Sequence, residues 1–520
     1  MSGSGNTTAP SSTDDLAFHV PLVRFAHVLV LVWSRFEPRR VGEVAILDPE
    51  IASSWLLGRG PDSPNDSARR LHLGRQTPTG LVDGGPLIGE TMSQQQAAIA
   101  LVDGGIEVRS LGKAVLSIGG QALAKDAIGR MAPGTFLHVR GHSTYLLVYR
   151  GVLLPPVAPE ICAHAYGEPD AAGIVGEGPR AVMMRNQILR GVRTKGHVFL
   201  HGPTGSGKLL AARLVHLLSG RKGRFVRFNM ANLTESMADA TLFGNVKNYP
   251  NPGTPETEGL VFEAEGGVLF LDEFGALTPK LQEKLLVAME GLARRLGESR
   301  DRHVDILVVA ATNAPLDQIK LDVRERFATI VELPSLAERV EDIPLIARAL
   351  VLEEARKEDA DLAPRFVRHD ASGWPYVAFA PAMVQTMVRS RYEGNARGLR
   401  NLLFAAMNES YDAAVAENAM RASKGEPLID LNALTLSPPA NLDPWRTPPS
   451  IVPPEPDEEV EDLVAGIGAT PKAAFTESQI RAALEKCLGN RAKAAKLLGI
   501  SRHQLYRLMK EYGIEEPEEP

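Results

Sequence analysis

Two short stretches of this 520-residue chain carry residues that could bind a phosphate and activate a water molecule. The first, VFLHGPTGSGKL, passes from an apolar run through three glycines to Lys208 and on into an Ala- and Leu-rich run. Glycines let successive N–H groups turn toward an anion, a following helix adds its N-terminal dipole, and lysine adds a positive charge. This spacing predicts a phosphate-binding loop, whose residues are Gly202, Pro203, Thr204, Gly205, Ser206, Gly207, Lys208 and Leu209.

The second stretch, GVLFLDE from Gly267 to Glu273, is an apolar run that ends in two adjacent carboxylates. Such a run is typical of a buried parallel strand, and ligands bind at the carboxyl ends of these strands. Asp272 could hold Mg²⁺ there, and Glu273 could polarise an attacking water. A further apolar run ends at Asn313, whose amide could reach the γ-phosphate or that water. Together these residues predict a nucleoside triphosphatase that uses Mg²⁺.

Length, charge and cysteine content limit the class of protein. A chain of 520 residues is long enough for three or four domains, and a formal charge of −6 restricts nucleic-acid contact to local regions. Cys162 and Cys487 lie far apart in sequence, which indicates a reducing compartment. Residues 1–15 are polar and read as a disordered tail, and the apolar run Phe25–Trp33 is too short to cross a bilayer. We therefore expect a cytoplasmic protein without membrane contact.

Residues 16–154 carry short β-rich runs broken by Gly, Asp and Pro, which is typical of an all-β sandwich. Leu-Gly-Arg occurs twice, ending at Arg59 and at Arg75, and Ser93 and two glycine turns follow. This order resembles a forkhead-associated domain, a sandwich that binds phosphothreonine. The resemblance implies that an arginine, Arg75 by spacing or Arg59 as second choice, grips a phosphate together with Ser93.

The sandwich departs from that family at two binding positions. Gln96 stands where a histidine usually follows the serine, and Gly119 stands where an asparagine usually contacts the peptide. Two interpretations stay open. The sandwich binds a phosphothreonine partner, made by a Ser/Thr kinase, or it is a structural sandwich used for another protein contact.

A longer region resembles the AAA+ core of sigma-54-dependent transcriptional activators, the bacterial enhancer-binding proteins. The resemblance runs from Ile174 to Ala413 and rests on ordered segments: GIVGEGPRAVMMRNQI, GPTGSGK, FVRFNMANL, LFGNVK, EGGVLFLDEFGAL, LVVAATNAPL, LPSLAERVEDIPLIA and YEGNARGLRNLL. It implies an α/β ATPase at 173–335 and a helical lid at 336–430, preceded by a linker at 155–172.

The same resemblance implies a role for individual residues. Gly202–Lys208 is the Walker A loop, and Asp272 and Glu273 are the Walker B pair. Asn229 matches the asparagine that restrains the catalytic glutamate, Asn313 is sensor I, and Arg397 is sensor II.

Two arginine fingers of the family fall on Lys320 and Arg326, with Arg324 as a neighbouring alternative. Fingers act on the γ-phosphate held by an adjacent subunit, so the resemblance implies a homo-oligomer, a hexameric ring. Lys320 keeps the positive charge but lacks the planar fork of arginine, which predicts weaker or altered catalysis.

Two further departures concern metal binding and the partner. Leu209 follows the loop lysine and offers Mg²⁺ no oxygen, so the ion would rely on Asp272, phosphate oxygens and water. The family's sigma-contacting motif GAFTGA is replaced by NVKNYPNPGTPETEG, Asn245 to Gly259, in which prolines restrict the backbone and Tyr249 could serve as an apolar tip. The sequence leaves open whether this loop engages sigma-54.

The C-terminal part consists of a Pro-rich acidic linker, 431–472, and a basic segment, 473–520. Phe475–Tyr512 holds eight Lys and Arg against three Glu, and it resembles a Fis-type helix-turn-helix with its turn at Gly499-Ile500. The resemblance implies DNA contact through its recognition helix, whose expected contact residues are Arg502, His503, Gln504, Tyr506 and Arg507.

The predicted fold is multidomain: a β-sandwich of forkhead-associated type, an α/β AAA+ P-loop ATPase with an α-helical lid, and an all-α helix-turn-helix. The predicted function is a transcriptional regulator that binds upstream DNA and uses ATP hydrolysis to remodel sigma-54 RNA polymerase. The alternative is a DNA-binding AAA+ regulator or repressor that does not engage sigma-54, because the GAFTGA loop is replaced. A remodeller of another substrate is a third possibility, which the helix-turn-helix disfavours.

Overall fold

The structure, a computed structural model, describes residues 25–61, 68–77, 80–152, 154, 164–440 and 509. Apart from Met509, these residues belong to one unit, Val23–Ser450. The predicted tail 1–15, parts of both linkers, the two cysteines and the helix-turn-helix with its five expected DNA-contact residues lie outside the described residues, so the structure tests none of the predictions made for them.

The N-terminal region of the described chain is built from strands. Their bounds are β1 Phe25–Ser34, β2 Val44–Leu47, β3 Ser54–Leu57, β4 Arg69–Arg70, β5 Gly74–Thr77, β6 Gly80–Asp83, β7 Ala97–Val102, β8 Gly105–Ser110, β9 Leu116–Ile118, β10 Gln121–Leu123, β11 Ile128–Met131, β12 Phe136–Val139 and β13 Ser143–Gly151. We call this region the sandwich. The sequence prediction of a sheet-rich N-terminal region is confirmed.

Within the described residues the sandwich has two sheets. One runs in the order β10-β9-β12-β13-β1-β2-β5-β6 and the other in the order β11-β8-β7-β3-β4. Strands β1 and β13 form the longest antiparallel pair, with Val28 opposite Val148 and Leu29 opposite Leu147. Leu29 and Leu31 point into the core between the sheets, which also contains Trp55.

Helices and strands alternate in the central region. Their bounds are α1 Pro179–Arg193, β14 His197–His201, α2 Lys208–Ser219, β15 Phe225–Asn229, α3 Glu235–Phe243, α4 Leu260–Glu263, β16 Val268–Asp272, α5 Pro279–Met289, β17 Leu292–Ala293, β18 Arg302–His303, β19 Leu307–Thr312, α6 Leu321–Arg324 and β20 Phe327–Glu332. A parallel sheet in the order β15-β16-β19-β14-β20 connects them.

The central sheet is buried on both faces, as its continuous apolar strands predict. Leu269 and Leu271 of β16 pack on one face with Phe199, whereas Val268 and Phe270 pack on the other face. The α/β fold predicted for the ATPase region is therefore confirmed.

The region that follows, residues 336–430, is the predicted lid and is called the lid below. Its elements are α7 Ile343–Ala355, β21 Val367–His369, β22 Pro375–Val377, α8 Pro381–Arg389 and α9 Ala396–Lys424. Helix α9 begins directly after Asn395 and ends at Lys424, and the next residue, Gly425, adopts a φ of 68°. Among the described residues, no helix combines the length and apolarity needed to cross a membrane.

The lid and the sandwich share one apolar core. Val28, Val30 and Val32 alternate along β1 with the residues that face the sandwich interior, and they pack in a cluster with lid residues. The lid side of that cluster includes the fully buried Met383 and Met387. At its edge the indole N–H of Trp33 donates to the Phe379 carbonyl at 2.8 Å.

Candidate active site

Three neighbouring strands bring the predicted site residues to one edge of the central sheet. Strand β14 ends at His201, immediately before the glycine-rich loop, and His201 pairs with Thr312 at the end of β19. Strand β16 ends at Asp272, which pairs with Asn229 of β15. Because the strands are parallel, the loop, the carboxylates and Asn313 emerge at the same edge.

The glycine-rich loop has the backbone that its sequence predicts. Gly205 and Gly207 adopt φ angles of 74° and 101°, in the left-handed region that favours glycine. Helix α2 begins at Lys208, so its N-terminal N–H groups face the loop. The ammonium of Lys208 donates to the carbonyls of Gly202 at 2.8 Å and Pro203 at 3.1 Å.

Three further charged side chains lie near this ammonium group. Burial lowers the pKa of Lys208; the carboxylates of Asp272 and Glu273 oppose that shift, and the Arg397 guanidinium adds to it. The structure thus groups residues that are far apart in sequence, two acids and two bases, at the mouth of the loop. This arrangement suits a polyanion with an associated cation.

Glu273 occupies a strained backbone position. Its φ of 53° and ψ of 44° are left-handed, and its N–H donates to Asp272 Oδ1 at 3.1 Å. A non-glycine residue in this region costs about 1–3 kcal/mol, and such residues cluster at functional sites. The carboxylate of Glu273 is exposed, whereas Asp272 is half-buried beside Arg227, whose Nη2 lies 3.9 Å from Oδ2.

Asn229 caps a short 3₁₀ turn in the structure. Its side-chain Oδ1 accepts from the N–H of Ala231 at 2.8 Å, so the amide oxygen is used locally. Because Asn229 pairs with Asp272 in the sheet, it remains beside the Walker B pair.

Thr204 links two asparagines to the phosphate loop. Its hydroxyl accepts from the side-chain amide of Asn313 at 3.0 Å, and its carbonyl accepts from that of Asn395 at 2.9 Å. Asn313 was expected here from the sequence. Asn395 was not, although its place just before a helix, in the segment GNARGLRN, indicates a helix-start residue.

Leu209 packs into the core and offers no oxygen to a cation. It is partly buried against the apolar cluster that contains Val198 and Ala211. The described part of the chain holds no group of three or more His, Cys, Asp or Glu side chains arranged to hold a metal ion.

The two expected finger residues form ion pairs with acidic residues in helix α5 or immediately after it. The Lys320 ammonium pairs with Glu283, and Arg326 Nη2 lies 2.8 Å from Glu290 Oε1. Arg324 closes the short helix α6 and is half-buried. These charges therefore lie on the surface formed by α5 and α6.

The segment 245–259, which replaces the GAFTGA motif, is a closed hairpin. Asn245 forms a bridge to Thr257, and its amide also donates to Pro255 O at 2.8 Å. Tyr249 is 41% exposed and lies over Gly297, in the neighbouring turn between β17 and β18. An ion pair between Arg295 and Glu256, 2.6 Å long, joins the two loops.

In the sandwich, the structure places Arg59 and not Arg75 beside Ser93. The Arg59 N–H donates to Ser93 O at 3.1 Å, and a Cβ at Gly58 would collide with Gln94. Arg75 instead lies 3.5 Å from Glu43 and stacks over a tyrosine ring. Which arginine grips a phosphate stays a prediction; the backbone contact favours Arg59, the second choice by spacing, because a repeated tripeptide does not show which loop approaches the serine.

Gln96 holds the loop that carries Ser93. Its side chain accepts from Ser93 N at 3.2 Å and donates to Ala114 O at 2.8 Å. The Ser93 hydroxyl accepts from the N–H of Lys113 at 2.9 Å. The Gln96 side chain is fully buried, so it serves the loop and is not available to a ligand.

Two family models match the chain. Residues 174–328 match the Sigma-54 interaction domain, and residues 477–512 match the bacterial regulatory protein, Fis family. The first match covers the phosphate loop, the carboxylates and Asn313. The second covers the predicted helix-turn-helix, which lies outside the described residues apart from Met509.

Named relatives extend this similarity over most of the chain. A Nif-specific regulatory protein of Rhodobacter capsulatus is 33% identical over 366 residues, covering 66% of this chain and 61% of the relative. The transcriptional regulatory protein ZraR of Salmonella typhimurium is 31% identical over 342 residues, covering 64% and 67%. A crystal structure of NtrX from Brucella abortus in complex with ADP is 25% identical, covers 66% of this chain and 70% of that one, and has a TM-score of 0.39.

Proposed function

We propose that this chain, which belongs to the family of sigma-54-dependent transcriptional activators, hydrolyses ATP in an oligomeric ring and thereby remodels sigma-54 RNA polymerase at promoters whose upstream DNA it binds. The observation that carries the proposal is the grouping of Lys208, Asp272, Glu273 and Arg397 at the sheet edge that bears the glycine-rich loop. Adjacent carboxylates at such a loop have no evident structural task.

The chemistry of each residue suggests its step in hydrolysis. The loop N–H groups and Lys208 would bind the phosphates, and Glu273 would accept a proton from the attacking water. Asn313, held by the Thr204 hydroxyl, would orient that water or the γ-phosphate. Arg397, which lies on the lid, would neutralise charge on the phosphates.

A magnesium ion fits this site if phosphate oxygens and water supply most of its ligands. Asp272 is the carboxylate available to it, and Leu209 contributes none, which agrees with Mg²⁺ sites that use one or two carboxylates. When bound, the ion would neutralise developing charge on the transferred phosphoryl group.

Lys320 and Arg326 would act on a neighbouring subunit. Their ion pairs with Glu283 and Glu290 lie on exposed surface, so breaking them to contact a phosphate would cost little free energy. Arg326→Ala should therefore lose ATPase activity and regain part of it when mixed with subunits carrying Lys208→Ala. Absence of any regain in mixed rings would argue against action in trans.

The closed hairpin 245–259 favours a second candidate function. Its Asn245–Thr257 closure and its contact with Gly297 give it a defined shape, and Tyr249 is its half-exposed aromatic side chain. A hairpin without the family's motif fits a DNA-binding ATPase that does not engage sigma-54. The experiment that separates the candidates is open-complex formation on a sigma-54 promoter, wild type beside a deletion of residues 248–255.

The deletion experiment has a clear result for each candidate. ATP-dependent open complexes that disappear on deletion, with hydrolysis retained, would support remodelling through this hairpin. Hydrolysis by the wild type without open complexes would support the second candidate.

We also propose that the sandwich binds a phosphothreonine peptide through Arg59 and Ser93. Arg59 is exposed beside Ser93, and charge-assisted hydrogen bonds from arginine suit a phosphate. Arg59→Ala should abolish binding of a phosphothreonine peptide library, while Arg75→Ala, the matched control, should not. Wild-type peptide binding by both variants would contradict a role of Arg59 in phosphate binding and would favour a sandwich used for another protein contact.

For DNA, the proposal places contact in the Fis-type segment. Truncation after Lys472 should abolish footprints on upstream DNA and leave ATPase activity intact. Within the segment, Arg502, Gln504 and Arg507 are the first side chains to replace by alanine. Retained footprints after truncation would place the DNA contact elsewhere.

A further inference from the structure

The lid contacts the phosphate loop through an asparagine at the start of its longest helix. Asn395 is 4% exposed, and both ends of its side chain are used. The amide Nδ2 donates to Thr204 O in the phosphate loop at 2.9 Å, and Oδ1 accepts from the N–H of Leu336 at 2.8 Å. Leu336 lies at the beginning of the lid, so this one side chain joins the beginning of the lid, the start of α9 and the phosphate loop.

The backbone at this contact is strained and tightly packed. Asn395 adopts a φ of 47° and a ψ of −124°, a region that favours glycine. The next residue, Ala396, donates its N–H to Gly205 O at 3.2 Å, and a Cβ at Gly205 would collide with the Gly394 carbonyl. Glycine would adopt this conformation with less strain. The hydrogen bonds of the asparagine side chain therefore offset the free energy of the strained backbone.

This contact lies between two groups assigned to nucleotide sensing. Thr204 accepts from Asn395 through its carbonyl and from Asn313 through its hydroxyl. Arg397, whose charge reaches Lys208, follows Asn395 by two residues on the first turn of α9. The position of Arg397 relative to the loop therefore depends on how Asn395 is held.

We propose that Asn395 is a positioning residue, which fixes the lid to the phosphate loop and so places Arg397 against the γ-phosphate of ATP. The inference rests on the proposed ATPase function. It concerns the terminal phosphate alone, since the loop and Lys208 would hold the inner phosphates without the lid.

A matched control exists on the same helix. Asn418 also uses both ends of its amide: it donates to Ile429 O at 2.9 Å and accepts from Ile429 N at 2.6 Å. Both residues lie within the lid, so this contact does not involve the phosphate loop. Asn395→Asp keeps the acceptor for Leu336 and sets a carboxylate against Thr204 O. Asn418→Asp makes the same chemical change at Ile429. If Asn395 has a purely structural role, both variants lose stability and neither changes kcat/KM of the folded protein.

The test uses the full chain with ATP and ADP. Asn395→Asp should lower kcat/KM for ATP by about 10- to 100-fold, because small misplacements of a catalytic group have effects of this size. Binding of a fluorescent ADP should stay at the wild-type level, since ADP lacks the phosphate that Arg397 reads. Asn418→Asp should leave both quantities at wild-type values.

Two further variants make the result decisive. In an Arg397→Ala background, Asn395→Asp should cause no additional loss, because its effect passes through Arg397. Asn395→Gly, which relieves the backbone strain, should lose kcat/KM as Asn395→Asp does even if the aspartate variant folds poorly. Fully additive losses, or wild-type activity of Asn395→Gly, would overturn the inference. Absence of hydrolysis by the wild type would instead overturn the proposed function.

Discussion

The lid is held by two kinds of contact on its two sides. Toward the sandwich it shares an apolar core in which Val28, Val30 and Val32 of β1 meet Met383 and Met387. Toward the phosphate loop it is held by hydrogen bonds from Asn395 and Ala396. Buried apolar area resists separation over a wide surface, whereas a few hydrogen bonds contribute about 1 kcal/mol each. From this difference we expect the lid to separate from the phosphate loop more readily than from the sandwich.

Among changes at the sandwich–lid contact, we expect Arg150→Met to lower the free energy of unfolding most. Arg150 of β13 pairs with Glu341 at the start of the lid, with Nη2 3.0 Å from Oε2 and both side chains nearly buried. Removing one partner of a buried pair costs about 3–5 kcal/mol of unfolding free energy. Arg130→Met, which breaks an exposed pair with Glu107, is the control and should cost about 0–1 kcal/mol.

The loss in Arg150→Met should depend on pH. Burial raises the pKa of Glu341, Asp342 adds to the rise, and Arg150 lowers it. Without Arg150 this pKa rises further, so the buried carboxyl is protonated at higher pH than in the unfolded chain. The contribution of Glu341 to stability is then greatest below the ordinary glutamate pKa of 4.5 and is lost as pH rises above it, so urea unfolding should show a larger deficit at pH 7 than at pH 4.5. An equal deficit at both pH values would mean that Glu341 is not the group left unpaired.

Two adjacent leucines of β13 can distinguish the lid contact from the sandwich interior. Leu146 packs in the core shared with the lid, and Leu147 packs between the two sheets. Each change to alanine should cost about 2–5 kcal/mol. Only Leu146→Ala should also increase proteolysis within α8 and α9, as followed by mass spectrometry under native conditions. Increased lid cleavage in Leu147→Ala to the same extent would show that the two cores are not separate.

On the loop side, the effect of pH on ATP binding should be moderate. Burial lowers the pKa of Lys208, so its ammonium loses its proton at lower pH than an exposed lysine. Phosphate binding needs the charged form, and affinity should fall by about tenfold per pH unit above that pKa. Calorimetric titration with ATP between pH 7 and pH 10 checks the onset, with Lys208→Arg as the control that should shift it to higher pH. An onset at the pH of an ordinary lysine would contradict the burial of Lys208.

The smallest effect is expected at the exposed rim of the sandwich–lid contact. Arg39 forms an ion pair with Asp370 at 2.7 Å and lies over the Trp374 ring. Exposed pairs and exposed cation–π contacts each contribute about 1 kcal/mol or less. Arg39→Ala should therefore lower the midpoint of thermal unfolding by only a few degrees. A loss comparable to that of Arg150→Met would mean that the rim, and not the core, holds the lid.

The sequence predicts those features that depend on local order. Gly205, Gly207 and Lys208 follow each other in one loop, and the apolar run before Asp272 is continuous, so the phosphate loop and the α/β fold were recognisable. The roles given to Asn229, Asn313, Lys320 and Arg326 stay predictions, to which the structure adds positions and partners.

Features that depend on contact between distant segments were not predictable. Strand β1 carries a continuous apolar run, which indicates that both of its faces are covered, but nothing in its sequence shows that the lid covers the second face. Arg59 and Arg75 stand in identical tripeptides, and they are distinguished by tertiary contacts: Arg59 lies beside Ser93, whereas Arg75 pairs with Glu43. Asn395 looks like a helix cap, and its contact with Thr204 appears only when the lid is folded onto the loop.

The measurement that tests the account most directly is steady-state ATP hydrolysis by the purified chain, wild type beside Glu273→Gln. Glutamine keeps the shape of Glu273 but cannot accept a proton, so hydrolysis should fall by about 10²- to 10⁴-fold while ATP binding persists. Glu265→Gln serves as the control and should keep full activity. Glu265 lies before the start of β16, at the end opposite to Asp272, and its carboxylate accepts from Asp305 N at 3.0 Å. Wild-type hydrolysis by Glu273→Gln would contradict the assignment of the sheet edge as the catalytic site.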